Sequence, residues 1–433
     1  DVSWGDDGPE PPYLAVSGAD LLRLSALKEA AAEASPAAWR EGPGRAVRAP
    51  GHRVWADIDL EAVRHNVGVL KTLAGPGVEV LSVAKANAYG HGAAAIVRAA
   101  LSAGASAVGV GDSTEALELI DSGVRAPILV LGAIIPGEAP RVVENGIQVA
   151  LHSVDGARQL AAAAAGQGRP ARVHVLVDTG MGRLGAQPSE VPRLLEEIAA
   201  ARHLRLVGLG THFSTPEDPA FTAEQIARFE AVRRTVPGRL LVHAAASAAL
   251  VQFPQARYSG VRPGLLTYGL DPGGVDPVAL GFRPVLSLRT QVVHLKDVPA
   301  GTPIGYSKTY RTPRPTRIAT LPVGYHDGFP LGLSNVAEVL LHGRRVPVVG
   351  RISMDYTMVD VGSLPAVALG DVVTLIGRDG PAEIRVEEVA RRLGTIPYDV
   401  LCGLGNRVRR VYSPDPRTLP FSETPLEASR RSS

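Results

Sequence analysis

The chain has 433 residues, of which 45% are hydrophobic and 20% charged, and its 45 Lys and Arg residues nearly balance its 43 Asp and Glu residues. With a net charge of +2 and no basic stretch interleaved with aromatic residues, it is not expected to bind nucleic acid. The single cysteine, Cys402, excludes an internal disulfide framework, and no apolar run is long enough to span a bilayer. We therefore expect a cytoplasmic protein of two or three domains without membrane partners.

Residues 1–51 are predicted to form a separate, flexible N-terminal extension. They combine a Pro-rich start, one short stretch of helical apolar spacing, and a linker rich in Gly, Pro and Arg. Segments of this kind are poorly ordered unless something ties them down, and we assign no function to this one.

Residues 52–281 are predicted to form a (β/α)8 barrel. Short apolar, β-branched runs alternate there with stretches of helical spacing that end at Gly or Pro. The eight runs are VEVLSVA, AVGVGD, PILVLG, QVALHS, RVHVLVDTG, LVGLGTHF, LLVHAAAS and YSGVRPGLL. Alternation of strand and helix indicates parallel strands, and eight repeats favour a closed barrel over a doubly wound open sheet.

Residues 282–413 are predicted to form a second, mainly antiparallel β domain. Strand-like segments are interrupted there by Gly, Pro and Asp turns, with one helical insert, RVEEVARRLG. Residues 414–433 are rich in Pro and Ser and are expected to form a loose tail. The predicted fold class is therefore α/β, a TIM-type barrel followed by a β domain.

Five polar side chains follow barrel strands at the end where the catalytic residues of this architecture gather. They are an amine, two guanidinium groups, an imidazole and a hydroxyl: Lys85, Arg183, His212, Ser247 and Arg262. Each alone has an ordinary structural interpretation, such as a turn cap, a core histidine or a surface ion pair. Their convergence on one mouth is what indicates a functional site.

An amine at the rim of an apolar barrel suggests pyridoxal 5′-phosphate as the cofactor. Desolvation and neighbouring cations lower the pKa of a lysine, which leaves its amine available for a Schiff base. The cofactor's phosphate needs hydroxyl and backbone N–H donors, which Ser247 and the segment VRPGLL can offer.

Six segments, in order, resemble the signature segments of alanine racemases. They are VAKANAYGHG (83–92), DTGMGRLG (178–185), THF (211–213), VRPGLLTYG (261–269), PVGYHDG (322–328) and RISMDY (351–356). The resemblance runs from about Trp55 to Tyr412 and implies a pyridoxal-phosphate isomerase with a barrel and a C-terminal β domain. It further implies interconversion of L- and D-alanine for D-alanine biosynthesis, an obligate homodimer, and no metal.

The resemblance also implies which residues react. Lys85 matches the Schiff-base lysine, which is one catalytic base, and Tyr306 matches the opposite base, donated across the dimer interface. Racemisation needs both, because the α-proton leaves one face of the carbon and returns to the other. His212 would link Tyr306 to Arg262, and Arg262 would face the pyridine nitrogen. A guanidinium does not give up its proton, so the ring stays a weak electron sink.

Further residues are implied to bind cofactor or substrate. The residues matching the family's phosphate contacts are Tyr89, Ser247, Gly264, Leu265 and Tyr398. Arg183 matches the residue that touches the cofactor's phenolic oxygen and the substrate carboxylate. Met354 would offer its backbone N–H to that carboxylate, with Asp355 beside it.

Five positions near this site depart from the family pattern. Leu176 stands where many members have a carbamylated lysine that braces the motif's arginine, and Ala246 replaces an asparagine beside the phosphate. Leu331 replaces an arginine at the entrance, and His326 and Thr215 stand where smaller side chains are common. Because a less cationic entrance could admit a larger amino acid, racemisation of serine or a longer aliphatic amino acid remains an alternative.

Two other interpretations remain. A pyridoxal-phosphate decarboxylase shares the scaffold but typically uses a cysteine of the β domain, and Cys402 lies past the active-site segments of the sequence. A non-catalytic barrel protein would have the lysine without the second domain that is predicted here.

Overall fold

The computed structural model describes residues 51–364 and 366–419. The predicted helix of the N-terminal extension and most of the predicted tail lie outside these ranges. No helix of the described residues is both long and apolar enough to cross a membrane.

The described residues form twenty strands and ten helices longer than one turn. The strands are β1 (Val54–Asp59), β2 (Glu79–Val83), β3 (Ala107–Val110), β4 (Ile128–Val130), β5 (Gln148–Leu151), β6 (Ala171–Leu176), β7 (Leu204–Gly210), β8 (Leu241–His243), β9 (Gly260–Val261), β10 (Leu286–Gln291), β11 (His294–Val298), β12 (Pro303–Ile304), β13 (Tyr310–Arg311), β14 (Thr316–Leu321), β15 (Glu338–Leu341), β16 (Arg344–Pro347), β17 (Thr357–Asp360), β18 (Val372–Asp379), β19 (Ala382–Ile384) and β20 (Arg409–Ser413). The helices are α1 (Leu60–Ala74), α2 (Ala93–Ser102), α3 (Ser113–Asp121), α4 (Ala139–Glu144), α5 (Val154–Gln167), α6 (Val191–Ala200), α7 (Pro219–Arg233), α8 (Ser247–Gln252), α9 (Val386–Leu393) and α10 (Pro397–Cys402).

Strands β2 to β9 close into a barrel of eight parallel strands, and this confirms the predicted fold class. Each strand pairs with the next along the chain, and the barrel closes where Glu79 of β2 lies opposite Gly260 of β9. All eight strands overlap the eight apolar runs that the sequence pattern singled out, although β6 begins one residue and β7 two residues before its run.

Side-chain caps begin several of the helices that surround the barrel. Asp112 accepts a hydrogen bond from Glu115 N at 2.9 Å, and Asp218 accepts one from Phe221 N at 3.0 Å. Such caps satisfy N–H groups that have no partner inside the helix. Because α3 begins three residues after β3, the loop between them is short and stays close to the mouth of the barrel.

The C-terminal part of the chain is built from mainly antiparallel sheets, with one parallel pair between β1 and β20. The largest has seven strands, and β1, which precedes the barrel in sequence, lies in it between β10 and β20. A three-stranded sheet contains β11, β14 and β17, and β12 and β13 form a hairpin. The predicted helical insert is α9. Residues Tyr306–Lys308 form the turn at the tip of the β12–β13 hairpin.

Candidate active site

Lys85 follows β2 on the face of the strand that points into the barrel. Leu81 packs in an apolar cluster with Ala107 and Leu129, and alternate residues of a strand share a face. Leu81, Val83 and Lys85 therefore lie in one column that rises from the apolar interior to the mouth. This placement agrees with the prediction that Lys85 stands at the mouth of the barrel.

A left-handed turn fixes the chain directly after Lys85. Ala86, Asn87, Ala88 and Tyr89 have φ angles of 51–54°, a conformation that costs an L-residue roughly 1–2 kcal/mol. Ala88 N donates to Ala84 O at 2.9 Å, and the carboxylate of Glu115 accepts from Ala86 N at 2.5 Å. Strain of this kind persists only where the surrounding structure holds it.

The environment of Lys85 lowers the pKa of its amine. Partial burial at the mouth is the largest cause, and the guanidinium of Arg183 is the next, although more than a third of the lysine's surface remains open. Cys402 and Glu115 act in the opposite direction and raise the pKa. A lowered pKa increases the fraction of free amine near neutral pH, which a nucleophile or general base requires.

Cys402, which lies past the active-site segments in the sequence, lies near Lys85 in the structure. Cys402 ends α10, and its thiol lies near enough to Lys85 for each group to shift the other's pKa. Burial nevertheless raises the pKa of Cys402 above its usual value, so the thiol stays protonated at neutral pH. Its place in the sequence was misleading because the fold returns α10 to the left-handed turn after Lys85.

Arg262 follows β9 and is almost fully buried, with 5% of its surface exposed. Its guanidinium donates to the carbonyl oxygens of Thr211 at 2.7 Å, His243 at 2.8 Å and Ala244 at 3.1 Å, and also to His243 Nδ1. It further contacts His212 Nδ1 at 3.3 Å, so the predicted link between His212 and Arg262 is present. Burial without a carboxylate partner among these contacts lowers the pKa of Arg262 to about 10.

His212 is a neutral imidazole in this setting. Burial lowers its pKa to about 3, and the positive charges of Arg262, Arg183 and Lys85 add to that effect. Because Arg262 can only donate, His212 Nδ1 must accept, and the ring proton resides on Nε2. His212 thus offers one N–H donor to the open mouth.

A second group of residues forms a pocket of polar donors next to Lys85. Ser247 Oγ accepts hydrogen bonds from Gly264 N at 2.9 Å and Leu266 N at 3.3 Å, so its own proton can be donated outward. A Cβ on Gly264 would lie 2.7 Å from Tyr89 Oη, so a side chain there would fill the pocket. The rings of Tyr89 and Tyr398 lie 5.4 Å apart between centroids.

These donors fit the phosphate of the predicted cofactor. Ser247, Leu265 and Tyr398 line a cavity of about 530 Å3, which also reaches His212. Hydroxyl and phenol groups can donate to phosphate oxygens. The cavity also contains Ala246, so the missing asparagine leaves space beside Ser247. Together with the amine of Lys85, this set accommodates pyridoxal phosphate.

Tyr306, Met354 and Asp355 lie on a separate face of the β domain. Tyr306 is 70% exposed and Met354 51% exposed, and both line an open cavity of about 740 Å3 with Leu331. Asp355 pairs with Arg407 at 2.8 Å. Among the described residues, no hydrogen bond or electrostatic contact joins Tyr306 to Lys85 or His212. One chain therefore presents the predicted residues as two separate groups.

The remaining departures lie around these two groups. Leu176 is half-buried at the end of β6, and Arg183 has no hydrogen bond or ion pair within the two described ranges. Thr215 is exposed after β7. His326 is exposed beside the open β-domain cavity. The guanidinium donors of Arg183 are thus available to a ligand.

Sequence reasoning missed three residues that contact this site. His174 and His243 lie inside the barrel behind Arg262, and Glu115 holds the turn after Lys85. Strand alternation could have indicated one of them, since His243 lies two residues after inward-pointing Leu241. The cap Asp112, three residues before Glu115, could have placed Glu115 in the first turn of a helix at the mouth.

Two family models match most of the chain. "Alanine racemase, N-terminal domain" matches residues 58–272, and "Alanine racemase, C-terminal domain" matches residues 285–412. A curated alanine racemase of Desulforamulus reducens is 42% identical over 367 residues, which cover 83% of this chain and 98% of that protein.

Solved structures of similar proteins agree with these matches. The alanine racemase of a D-cycloserine-producing Streptomyces lavendulae superposes with a TM-score of 0.79 at 34% identity, covering 84% of this chain and 98% of that one. The alanine racemase of Bartonella henselae with covalently bound pyridoxal phosphate has a TM-score of 0.76 at 31% identity, covering 83% and 99%.

Proposed function

The chain belongs to the alanine racemase family, and from that premise we propose how its own residues interconvert L- and D-alanine. The observation that carries the proposal is the position of Lys85, whose amine has a lowered pKa and lies beside Arg183. Membership of this family favours racemisation of alanine over decarboxylation and over a non-catalytic role.

We propose that pyridoxal phosphate is the cofactor and that the amine of Lys85 holds it. Ser247, Tyr89 and Tyr398 would bind the phosphate through their hydroxyl protons, and Arg262 would face the pyridine nitrogen. Bound there, the cofactor would withdraw electrons from the α-carbon of the substrate and so acidify its proton.

Lys85 takes the α-proton on one face, because its amine is partly desolvated and repelled by Arg183. The guanidinium of Arg183, with no partner among the described residues, binds the substrate carboxylate and fixes the substrate's orientation. Met354 would add its backbone N–H to that carboxylate. Arg262 remains protonated, since each contact described for its terminal nitrogens is an acceptor.

Tyr306 of a second copy of this chain would serve the opposite face. Support comes from its 70% exposure and from the exposed apolar side chains beside it, Tyr325, Met354 and Tyr356. An exposed apolar patch of this kind is typical of protein interfaces. In such a dimer, the Nε2–H of neutral His212 would donate to the phenolic oxygen of Tyr306 and orient it.

A chiral assay tests the activity. We expect purified protein supplied with pyridoxal phosphate to convert L-alanine into D-alanine and the reverse, faster than it converts serine or a longer aliphatic amino acid. Equal rates for alanine and a longer substrate would overturn the assignment to alanine. Borohydride reduction followed by peptide mapping should find the adduct on the peptide that contains Lys85, and an unmodified lysine would contradict the cofactor proposal.

Mixed dimers test the donation of Tyr306. Lys85→Ala and Tyr306→Phe proteins should each be inactive alone. After mixing and subunit exchange, each heterodimer would contain one site with both bases. Because about half of the dimers would be heterodimers, the mixture should recover about a quarter of the wild-type activity. If Tyr306 served its own chain, neither site of the heterodimer would be complete, and no activity would return.

A further inference from the structure

Four polar side chains form a continuous hydrogen-bonded row inside the barrel. Gln148 Oε1 lies 2.8 Å from His174 Nε2, and His174 Nδ1 lies 2.9 Å from His243 Nε2. The other nitrogen of His243, Nδ1, meets the guanidinium of Arg262. We call Gln148, His174, His243 and Arg262 the imidazole row. It connects β5, β6, β8 and the end of β9.

Strand β7 makes room for the two rings of this row. It contributes Gly208 and Gly210 where it passes between β6 and β8. A Cβ on Gly208 would lie 2.0 Å from His174 Nδ1, and a Cβ on Gly210 would lie 2.4 Å from the ring of His243. Only glycine at these two positions leaves room for the rings, so the row depends on β7 as well as on the four strands that contribute its residues.

The chemistry of Arg262 fixes the direction of every hydrogen bond in the row. A guanidinium has donors and no acceptor, so His243 Nδ1 must accept and His243 carries its proton on Nε2. That proton is donated to His174 Nδ1, which leaves the proton of His174 on Nε2. Gln148 must then present its carbonyl oxygen, which agrees with the contact that its Oε1 makes.

The hydrogen bonds of the row keep these directions only while both imidazoles are neutral. His174 and His243 are fully buried, and burial is the main cause that lowers their pKa values, that of His174 to about 3. The charged group facing both rings is Arg262, which disfavours a second positive charge. If His174 took up a proton, its Nδ1–H would face the Nε2–H of His243, and two donors cannot share a hydrogen bond. His243 would then have to move its proton to Nδ1, where the N–H would face the donors of Arg262.

We propose that Gln148, His174 and His243 are positioning residues that hold Arg262 in one orientation. The row keeps His243 Nδ1 without a proton, so this nitrogen always accepts a hydrogen bond from the guanidinium of Arg262. Through Arg262 they also fix the tautomer of His212, the ring that would orient Tyr306. The inference rests on the proposed function, because it is the racemase that needs Arg262 at the pyridine nitrogen. Gln148 acts at the far end of the row, three hydrogen bonds from Arg262.

The tautomers can be measured directly. In protein labelled with 15N-histidine and free of cofactor, long-range proton–nitrogen NMR spectra should show His174 and His243 protonated on Nε2 near neutral pH. His174→Phe and His243→Phe proteins assign the signals. An Nδ1–H tautomer at either ring would overturn the proposal, whether or not the protein racemises alanine.

A charge at the end of the imidazole row should alter the pH dependence of racemisation. Gln148→Glu keeps the acceptor but adds a negative charge that stabilises a protonated His174. On acidification, the variant should therefore lose racemase activity at a pH about one unit or more above the pH at which wild type loses it. Gln291→Glu, which adds the same charge in the β domain, should leave the profile unchanged. Superimposable profiles for Gln148→Glu and wild type would refute the proposal.

A second variant keeps the test decisive if Gln148→Glu does not fold. Gln148→Met removes the acceptor at nearly constant volume, so the signals of both rings should shift and kcat should fall with little change in KM. Unshifted signals and an unchanged kcat would contradict the inference. Failure of wild-type protein to racemise any amino acid would instead refute the proposed function and leave the tautomer measurement standing.

Discussion

Two walls of the barrel interior obey the same strand alternation and have opposite chemistry. The wall from β2, β3 and β4 contributes the apolar cluster of Leu81, Ala107 and Leu129, whereas β5, β6, β8 and β9 contribute the imidazole row. Packing in the first is non-directional and depends on volume. Bonding in the second is directional and depends on where each proton lies.

The difference separates stability from chemistry within one barrel. The apolar wall removes surface from water and makes no demand on protonation. The imidazole row holds a buried cation without the carboxylate that usually accompanies one, and it does so with neutral acceptors. Lys85 stands at the mouth above the apolar wall, so the amine is desolvated on one side and faces cations on the other.

The largest effect should come from removing the amine. Lys85→Ala should lower racemisation by a factor of roughly 1000 or more, because one face of the α-carbon loses its base. Thermal unfolding should change little, since Lys85 is partly exposed and repelled by Arg183. Lys71→Ala, at an exposed position of α1, is the matched control and should keep full activity. Activity above a hundredth of wild type would contradict the role of Lys85.

Acid should lower the free energy of unfolding by protonating the buried imidazoles when the chain unfolds. The folded-state pKa is about 4 for His91 and about 3 for His174 and His212, and that of His243 is also lowered, so unfolding takes up protons below pH 6.5. The free energy of unfolding therefore rises with pH below pH 6.5. Each histidine adds about 1.4 kcal/mol per pH unit, which makes about 5.5 kcal/mol per pH unit for the four.

Denaturant unfolding at several pH values measures that slope. His91→Phe removes one of the four groups and should reduce the slope by about a quarter, whatever its effect on the absolute stability. A free energy of unfolding that stays constant between pH 6.5 and pH 5 would show that these rings do not titrate as their burial requires.

Truncating the apolar wall should affect stability and spare chemistry. Leu129→Ala leaves a cavity at a fully buried position and should cost about 3 kcal/mol of unfolding free energy. In contrast to a change in the imidazole row, kcat/KM of the folded enzyme should stay within about threefold of wild type. Urea unfolding and steady-state kinetics at 25 °C separate the two quantities. A tenfold fall in kcat/KM would show that the apolar wall also affects catalysis, and it would contradict the distinction between the two walls.

The smallest effect is expected at Cys402. Its pKa is raised, so the thiol is uncharged at neutral pH and adds little to the field at Lys85. Cys402→Ser should therefore keep racemisation within about twofold of wild type. A large loss, measured beside the exposed-surface control Lys71→Ala, would show that the thiol takes part in the reaction.

Much of the fold could be predicted because it follows from local patterns. Each barrel strand is a short apolar run between turn residues, and the number of runs alone favoured a closed barrel. Strand ends then brought Lys85, Arg183, His212 and Arg262 together, since parallel strands expose one common end. The departures at Leu176 and Ala246 could also be recognised from the sequence, because each is a single different residue within a segment that otherwise matches the family.

Other features could not be predicted because they depend on contacts between distant segments. No local pattern places Cys402 against Lys85, or puts β1 in a sheet with β10 and β20. The left-handed turn after Lys85 contains four residues, Ala86, Asn87, Ala88 and Tyr89, of which only Asn87 is of a type that adopts that conformation readily. Glu115 from a separate helix holds it.

The sequence by itself determined the eight-stranded barrel, the β domain after it and the amine at the end of β2, because alternation, turn residues and strand ends are local properties. Only the tertiary structure decided that His174, His243 and Gln148 would form one row with Arg262, and that Cys402 would lie near Lys85. The reason is physical: the direction of a hydrogen bond and the burial of a ring depend on neighbours from other strands. The stagger of those strands follows from closing the barrel as a whole.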